Sequence, residues 1–154
     1  MINDIKKTCC FSGHRVLGKN FDKNKIIEIV DILIKDGFTT FLCGMALGFD
    51  TECFKILEQF KKTNDIKIVA CVPCKNQSER FNKTQKLEYD RMLNVADEVI
   101  YIQEKYDVYC MKKRNYYMVD NSCCLVCYLT RSSGGTYQTV SYAVEQNKCV
   151  IYIK

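Results

Sequence analysis

Several features that mark particular classes of protein are scarce in this sequence. Its 154 residues include one proline and one histidine, and no apolar segment is long enough to span a membrane. Residues 1–7 lack the apolar run of a secretory signal, so we expect a cytoplasmic protein that does not contact membranes. The sequence has no internal repeat or low-complexity segment, and its length suits one compact domain over residues 1–154.

Cysteine, in contrast, is abundant, with 11 residues. In a reducing compartment most of these are expected to be free thiols that pack as small apolar side chains. Cys71 and Cys74 have the spacing of a redox pair or of half a metal site. A zinc site would need further ligands nearby, and the one histidine, His14, belongs to another motif. We therefore expect no metal and no cofactor.

The charge is modest, with 23 basic and 18 acidic residues and a net charge of +5. Such an excess permits an anionic ligand without requiring nucleic acid. The densest basic cluster is Lys112, Lys113 and Arg114. A dense basic stripe with interleaved aromatic residues, which binders of single-stranded nucleic acid use, is missing from the sequence. The expected partner is a small nucleotide-like molecule, and nucleic acid is disfavoured.

Apolar strand patterns and helical stripes alternate along the whole chain. Strands are predicted at residues 6–12, 39–43, 66–72, 97–102, 123–129 and 149–154. Helical spacing lies between them, for example over residues 22–36 and 136–146. This alternation predicts an α/β protein with a Rossmann-like, three-layer α/β/α architecture and a mostly parallel sheet of about six strands. Residues 123–129 are apolar on both faces, which predicts the central strand, and Pro73 is expected to end the third strand.

Three glycine-containing turns follow the first, second and fifth predicted strands. The carboxyl ends of parallel strands meet at one edge of a sheet, so these turns are expected to lie close together. Glycine lets backbone N–H groups approach an anion, and a guanidinium forms forked contacts with phosphate. The sequence therefore predicts a phosphate-binding site at this edge. The candidate ligand-binding residues are Ser12, Gly13, His14, Arg15, Gly44, Gly48, Asp50, Arg114, Asn115, Ser133, Gly134, Gly135 and Thr136.

Some residues near this edge have two interpretations. Asp50 could contact the ligand, cap the helix that follows it, or do both. Gln77, Glu79 and Arg80 are available to a ligand at the same edge. Residues Tyr106 and Tyr109 either line a pocket for a flat ring or are exposed loop tyrosines.

Five segments, taken in order, resemble those of one protein group: Phe11-Ser12-Gly13-His14-Arg15, Gly44-Met45-Ala46-Leu47-Gly48-Phe49-Asp50, Ala96-Asp97-Glu98-Val99, Arg114-Asn115 with Met118-Val119-Asp120, and Gly134-Gly135-Thr136. The group is the SLOG superfamily, which contains the Rossmann-like DprA and LOG proteins. Within it the sequence resembles the small YpsA/YoqJ-like proteins, formerly DUF1273. The resemblance implies a nucleotide-related ligand and, together with the apolar helices, a homodimer.

In the LOG enzymes, which cleave the N-glycosidic bond of nucleoside monophosphates, an arginine and a glutamate carry the reaction. Arg114 resembles that arginine, but Thr139 stands where the glutamate would be. Threonine cannot stabilise the positive charge that develops on the ribose. Binding of a nucleotide or an ADP-ribose-like molecule, in a sensor or regulatory module, is thus the leading hypothesis. A nucleotide N-glycosidase that uses Arg114 with a relocated carboxylate, Asp50 or Glu52, is the first alternative. DprA-like binding of single-stranded nucleic acid is the second.

Overall fold

The computed structural model describes residues 4–154. A short 3-10 helix (Ile5–Lys7) precedes six strands and five α-helices that alternate along these residues. The strands are β1 (Thr8–Gly13), β2 (Thr40–Cys43), β3 (Lys67–Cys74), β4 (Glu98–Gln103), β5 (Cys124–Tyr128) and β6 (Cys149–Tyr152). The helices are α1 (Lys23–Lys35), α2 (Phe49–Lys61), α3 (Lys83–Val95), α4 (Cys110–Asp120) and α5 (Gly134–Glu145).

All six strands lie in one sheet, in the order β4-β3-β2-β1-β5-β6, and every neighbouring pair is parallel. The predicted α/β, Rossmann-like architecture is therefore confirmed. Residues 1–3 of the domain predicted at 1–154 lie outside the described residues. The first strand begins two residues later than predicted, because the side chain of Asp4 accepts a hydrogen bond from the Lys6 N–H and holds residues 5–7 in a 3-10 turn.

Two apolar cores, one on each face of the sheet, hold the helices in place. Alternate strand residues point to opposite faces, so Cys9 and Phe11 enter one core and Cys10 enters the other. Helices α1, α2 and α3 contribute buried residues to the first core, and α4 and α5 contribute to the second. On α1, Ile26, Val30 and Leu33 recur at helical spacing, which gives the buried stripe of a sheet-packed helix.

Two sequence predictions about the sheet are wrong. The fifth strand is not central, because β1 and β2 occupy the middle of the sheet and β5 lies between β1 and β6. It is nevertheless fully buried, since helices cover both faces and a strand flanks each edge. Pro73 does not end β3, which continues to Cys74. The pairing with β2 stops at Ala70, so the missing N–H of Pro73 is not needed by that neighbour.

The cysteines pack mostly inside the protein. All 11 are free thiols, nine of them are buried, and Cys149 is the exposed one. The positions of Cys71 and Cys74 along β3 place their side chains on opposite faces, which does not suit a redox pair. Among residues 4–154, no group of three or more His, Cys, Asp or Glu side chains is arranged to hold a metal ion. No helix in this range is long and apolar enough to cross a membrane.

Candidate functional site

A cavity lies at the point where the strand order reverses. Strands β2, β3 and β4 lie on one side of β1, and β5 and β6 lie on the other. In open parallel sheets, ligands bind at the carboxyl ends of the strands next to such a switch point. The cavity measures about 330 Å³, and we call it the switch-point cavity. Among the predicted site residues, it is lined by Ser12, Gly13, His14, Arg15, Asp50, Arg114, Asn115, Gly135 and Thr136.

Three of the predicted glycines serve the packing of the loops around this cavity. A Cβ atom at Gly13 would overlap the ring of Phe49, and one at Gly48, whose φ is +82°, would overlap the backbone of Arg15. At Gly44 a Cβ would lie 2.7 Å from Nη1 of Arg114 and 2.9 Å from Oδ2 of Asp50. Glycine thus lets the loops after β1 and β2 touch each other and the side chains below them.

One wall of the cavity is the amino-terminal end of α5. Its N-cap residue, Ser133, is extended and its side chain makes no capping hydrogen bond. The first turn of the helix, with Gly135 and Thr136, lines the cavity, and a Cβ at Gly135 would meet nothing within 4 Å. Uncapped N–H groups at a helix start attract anions through hydrogen bonds and the helix dipole. This wall is therefore suited to a phosphate.

Two exposed arginines also line the cavity, Arg15 after β1 and Arg131 after β5. The guanidinium of Arg131 lies near the start of α5, since a Cβ at Gly134 would be 3.3 Å from its Nη2. Arg131 was not among the residues predicted from the sequence, although its place between a buried strand and Gly134 was a usable signal. Together the two arginines and the helix dipole make the cavity attractive to an anion.

Arg114 is more deeply placed than the sequence suggested. It is 4% exposed, and its Nη1 donates to the carbonyl oxygens of Gly44 and, at 3.4 Å, Cys71. Its Nε donates to Oδ1 of Asn115 at 2.7 Å. Burial lowers the pKa of Arg114, and neighbouring Asp50 opposes that effect. The guanidinium therefore joins the end of β2 and the middle of β3 to α4 while it lines the cavity.

Asp50 is the second buried charged group of the cavity, with 5% exposure. Its Oδ2 accepts the N–H of Ala46 at 3.2 Å, whereas its Oδ1 is buried and has no hydrogen-bond partner among the described residues. Burial raises the pKa of this carboxyl to about 6, although Arg114, the Ala46 N–H and Arg15 each lower it. Unsatisfied buried polar atoms are rare in folded proteins, so this oxygen distinguishes Asp50 from the other residues of the cavity.

His14 is held in one orientation. Its Nε2 accepts the N–H of Thr130 at 2.9 Å, so Nδ1 carries the proton of the neutral ring. The ring also packs edge-on against Tyr128, with ring centroids 5.7 Å apart. Burial, followed by the charge of Arg131, lowers the pKa of His14. The imidazole is therefore neutral at physiological pH and connects the loops that follow β1 and β5.

A second cavity, of about 430 Å³, adjoins the first and shares Arg15, Ala46 and Met111 with it. We call it the side cavity. Its other lining residues come mainly from the loops after β3 and β4: Leu47, Cys74, Asn76, Gln77, Glu79, Arg80, Phe81 and Tyr106. Apolar rings, amides and a guanidinium together suit a flat polar ring. The two cavities thus lie side by side at the carboxyl edge of the sheet, and we call them together the cleft.

The side cavity gathers residues that the sequence left with two interpretations. Gln77 is fixed, since it donates to the Gly44 carbonyl at 3.1 Å and accepts from the Tyr89 hydroxyl at 2.9 Å. Tyr106 lines the cavity, and its N–H donates to Oδ1 of Asn76. Tyr109 lies instead in a groove along β4 and is 63% exposed. Of the two tyrosines, only Tyr106 is placed to meet a ligand ring in this cleft.

Four predicted ligand-binding residues do not line the switch-point cavity: Gly44, Gly48, Ser133 and Gly134. Thr139 is also outside it, 1% exposed, with its hydroxyl donating to the Gly135 carbonyl at 2.7 Å. The position where a LOG enzyme would carry its glutamate is thus occupied by a residue whose side chain is hydrogen-bonded within α5. Asp50 is the carboxyl group that the structure places in the cavity.

Fold and cleft together define a Rossmann-like α/β protein with a ligand-sized cleft at the carboxyl edge of its sheet. Residues 17–152 match the family described as YspA SLOG family (YpsA), and the chain belongs to that family. It is 37% identical to the SPbeta prophage-derived protein YoqJ of Bacillus subtilis (strain 168), over 79% of each chain.

Two solved structures share the fold. DNA processing protein A (DprA) of Streptococcus pneumoniae superposes with a TM-score of 0.73 and 17% identity, covering 96% of this chain and 50% of that one. DNA processing protein A of Helicobacter pylori, whose structure concerns its single-stranded DNA binding mode, gives 0.67 and 17%, covering 94% and 64%. This chain therefore spans about half to two thirds of those proteins, and identity at this level establishes the fold alone.

Proposed function

We propose that this protein binds a nucleotide or a nucleotide-derived molecule of the ADP-ribose type in the cleft and serves as a sensor or regulatory module. The observation that carries the proposal is the uncapped start of α5, which lines the switch-point cavity together with the exposed Arg15 and Arg131. That arrangement would take the phosphate. The adjoining side cavity would take the ring.

Other observations support this assignment. The combined cleft, with cavities of about 330 and 430 Å³, falls within the size range of small-molecule sites. Membership of a SLOG family and the fold shared with DNA processing protein A agree with a nucleotide-like ligand or a nucleic acid. A cytoplasmic location, a homodimer and a single domain over residues 1–154 remain predictions.

The proposal is tested by a thermal-shift screen of nucleotides and ADP-ribose derivatives, followed by calorimetry on the hits. A ligand that binds only the folded state raises the apparent melting temperature by mass action. Arg131→Ala should weaken the affinity for a phosphate-bearing hit by about tenfold or more, as expected for a charged hydrogen bond. Lys35→Ala removes one positive charge from an exposed i,i+4 pair on α1, outside the cleft, and is the matched control.

A screen without any stabilising ligand at millimolar concentration would contradict the proposal. Equal losses in Arg131→Ala and Lys35→Ala would also contradict it, because they would show a general charge effect instead of a site in the cleft.

A nucleotide N-glycosidase is the second candidate, and the position of Asp50 favours it. A buried carboxyl with a pKa of about 6 in the cavity could support the developing ribosyl cation in place of the missing glutamate. Chromatographic detection of free adenine from AMP tests this candidate. Adenine release by the wild type that is lost in Asp50→Asn would show that the protein is an N-glycosidase that uses Asp50. Intact AMP after prolonged incubation would show that the protein binds the nucleotide without cleaving it.

Single-stranded nucleic acid is the remaining partner to compare, since one structural relative is described with single-stranded DNA. The same Arg131→Ala and Lys35→Ala pair serves in a binding titration with short oligonucleotides. Oligonucleotide affinity above that of every mononucleotide, lost in Arg131→Ala alone, would replace the small-molecule proposal.

A further inference from the structure

We propose that the carboxyl group of Asp50 accepts a hydrogen bond from a sugar hydroxyl of the ligand, so that the cleft binds ribonucleotides more tightly than their deoxy counterparts. This inference rests on the proposed function and adds the class of sugar. Its starting point is that Oδ1 of Asp50 is buried without a partner in a residue that lines the switch-point cavity. A buried acceptor left without a hydrogen bond destabilises the protein, so a ligand that supplies a donor gains affinity from it.

The charges around Asp50 limit what that donor can be. Arg114 and Arg15 both act on this carboxyl and favour its ionised form. A metal cation or a ligand ammonium would be repelled by the same two guanidinium groups. No set of three metal-binding side chains is found in residues 4–154. The donor that fits is therefore neutral, and a hydroxyl is the simplest one.

The start of α5, which also lines the cavity, limits the rest of the ligand. Phosphate belongs at the start of α5, near Arg131, and it would be repelled by the carboxylate of Asp50. Within one cavity of about 330 Å³ the ligand must therefore carry both an anion and a neutral hydroxyl. A ribose phosphate has this arrangement, and its base would continue into the side cavity.

The carboxyl is also held ready for that contact. Its Oδ2 is fixed by the N–H of Ala46, and Asp50 itself sits in the first turn of α2. Gly44 keeps the space between Asp50 and Arg114 free of a side chain. One carboxyl oxygen thus maintains the loop. The other is buried beside the cavity, and in the proposed complex it meets the ligand hydroxyl when the carboxyl turns towards the cavity.

The test measures affinities of the wild type for AMP, 2′-deoxy-AMP and 3′-deoxy-AMP by calorimetry. AMP should bind about tenfold or more tightly than at least one deoxy analogue, because a site built around a polar contact rejects ligands that lack it. In Asp50→Ala the carboxyl acceptor is removed, and no amide NH₂ remains that could donate to the hydroxyl oxygen in its place. The preference should then fall towards parity, while Glu52→Gln, two residues along the same helix, keeps it.

The outcomes separate this inference from the proposed function. If all three nucleotides bind equally to the wild type, or if Asp50→Ala keeps the full preference, the hydroxyl assignment is overturned and nucleotide binding stands. If none of the three binds and the wider nucleotide screen is also negative, both proposals are wrong. If Asp50→Ala does not fold, the comparison of the three ligands on the wild type still decides whether the protein recognises a sugar hydroxyl.

Discussion

Asp50 should make the stability of the protein depend on pH in a direction opposite to that of most carboxyl groups. Its pKa is raised from the ordinary value of 3.8 to about 6 in the folded chain, mainly by burial. Between these values the folded state binds a proton that the unfolded state releases. The contribution of Asp50 to stability is therefore fully present below about pH 4 and is lost as the pH rises through about 6.

The size of the effect follows from the shift. Each pKa unit corresponds to 1.36 kcal/mol, so a shift of roughly two units gives about 3 kcal/mol. In Asp50→Asn this titration is removed. The difference in unfolding free energy, wild type minus Asp50→Asn, should fall by about 3 kcal/mol between about pH 4 and pH 7. Other titrating groups are common to both proteins and largely cancel.

The assay is urea unfolding followed by circular dichroism, with both proteins measured across this pH range. A difference that stays constant with pH would refute the reasoning, because it would show that Asp50 titrates near its ordinary pKa. A difference that rises with pH would indicate a lowered pKa and an ion pair with Arg114 that outweighs burial. Glu52→Gln is the control, since Glu52 does not line the cavity.

Three further predictions concern other parts of the protein. Gly135→Ala should leave the unfolding free energy unchanged, because a Cβ there meets nothing within 4 Å, but calorimetry should show weaker nucleotide binding. An unchanged affinity would show that the ligand does not contact the start of α5. Arg131→Ala should raise the pKa of His14, which proton NMR can follow because the sequence has a single histidine. A constant pKa would show that the charge of Arg131 does not act on the His14 ring. A thiol reagent should modify exposed Cys149 first and half-buried Cys123 next, whereas denaturant should release all 11 thiols; rapid modification of more than two in the native state would contradict the described burial.

The sequence predicted the position of a residue along a strand or helix more accurately than it predicted the contacts of the side chain. Gly13 and Gly48 were selected as phosphate-binding glycines because they follow strands. In the structure they make room for Phe49 and for the backbone of Arg15, each more than 30 residues away in sequence. Such contacts depend on the approach of two loops, which local patterns do not encode.

The opposite error occurred at Arg131, which lines the cavity and was not selected. Its place after a buried strand was a signal, but the sequence alone does not distinguish an arginine that lines a cavity from one that faces bulk solvent. Only the pairing of β5 with β1 brings the loop of Arg131 against His14, whose Nε2 accepts the Thr130 N–H.

The sequence by itself determined the order of elements, the parallel sheet and the edge at which the cleft forms. Those features follow from local periodicity and from the geometry of parallel strands, in which every carboxyl end points to the same edge. Only the tertiary structure decided that Arg114 is buried against the carbonyls of Gly44 and Cys71, and that one oxygen of Asp50 has no partner. Burial and hydrogen-bond satisfaction depend on segments distant in the chain, and for that reason they appear only once the chain has folded.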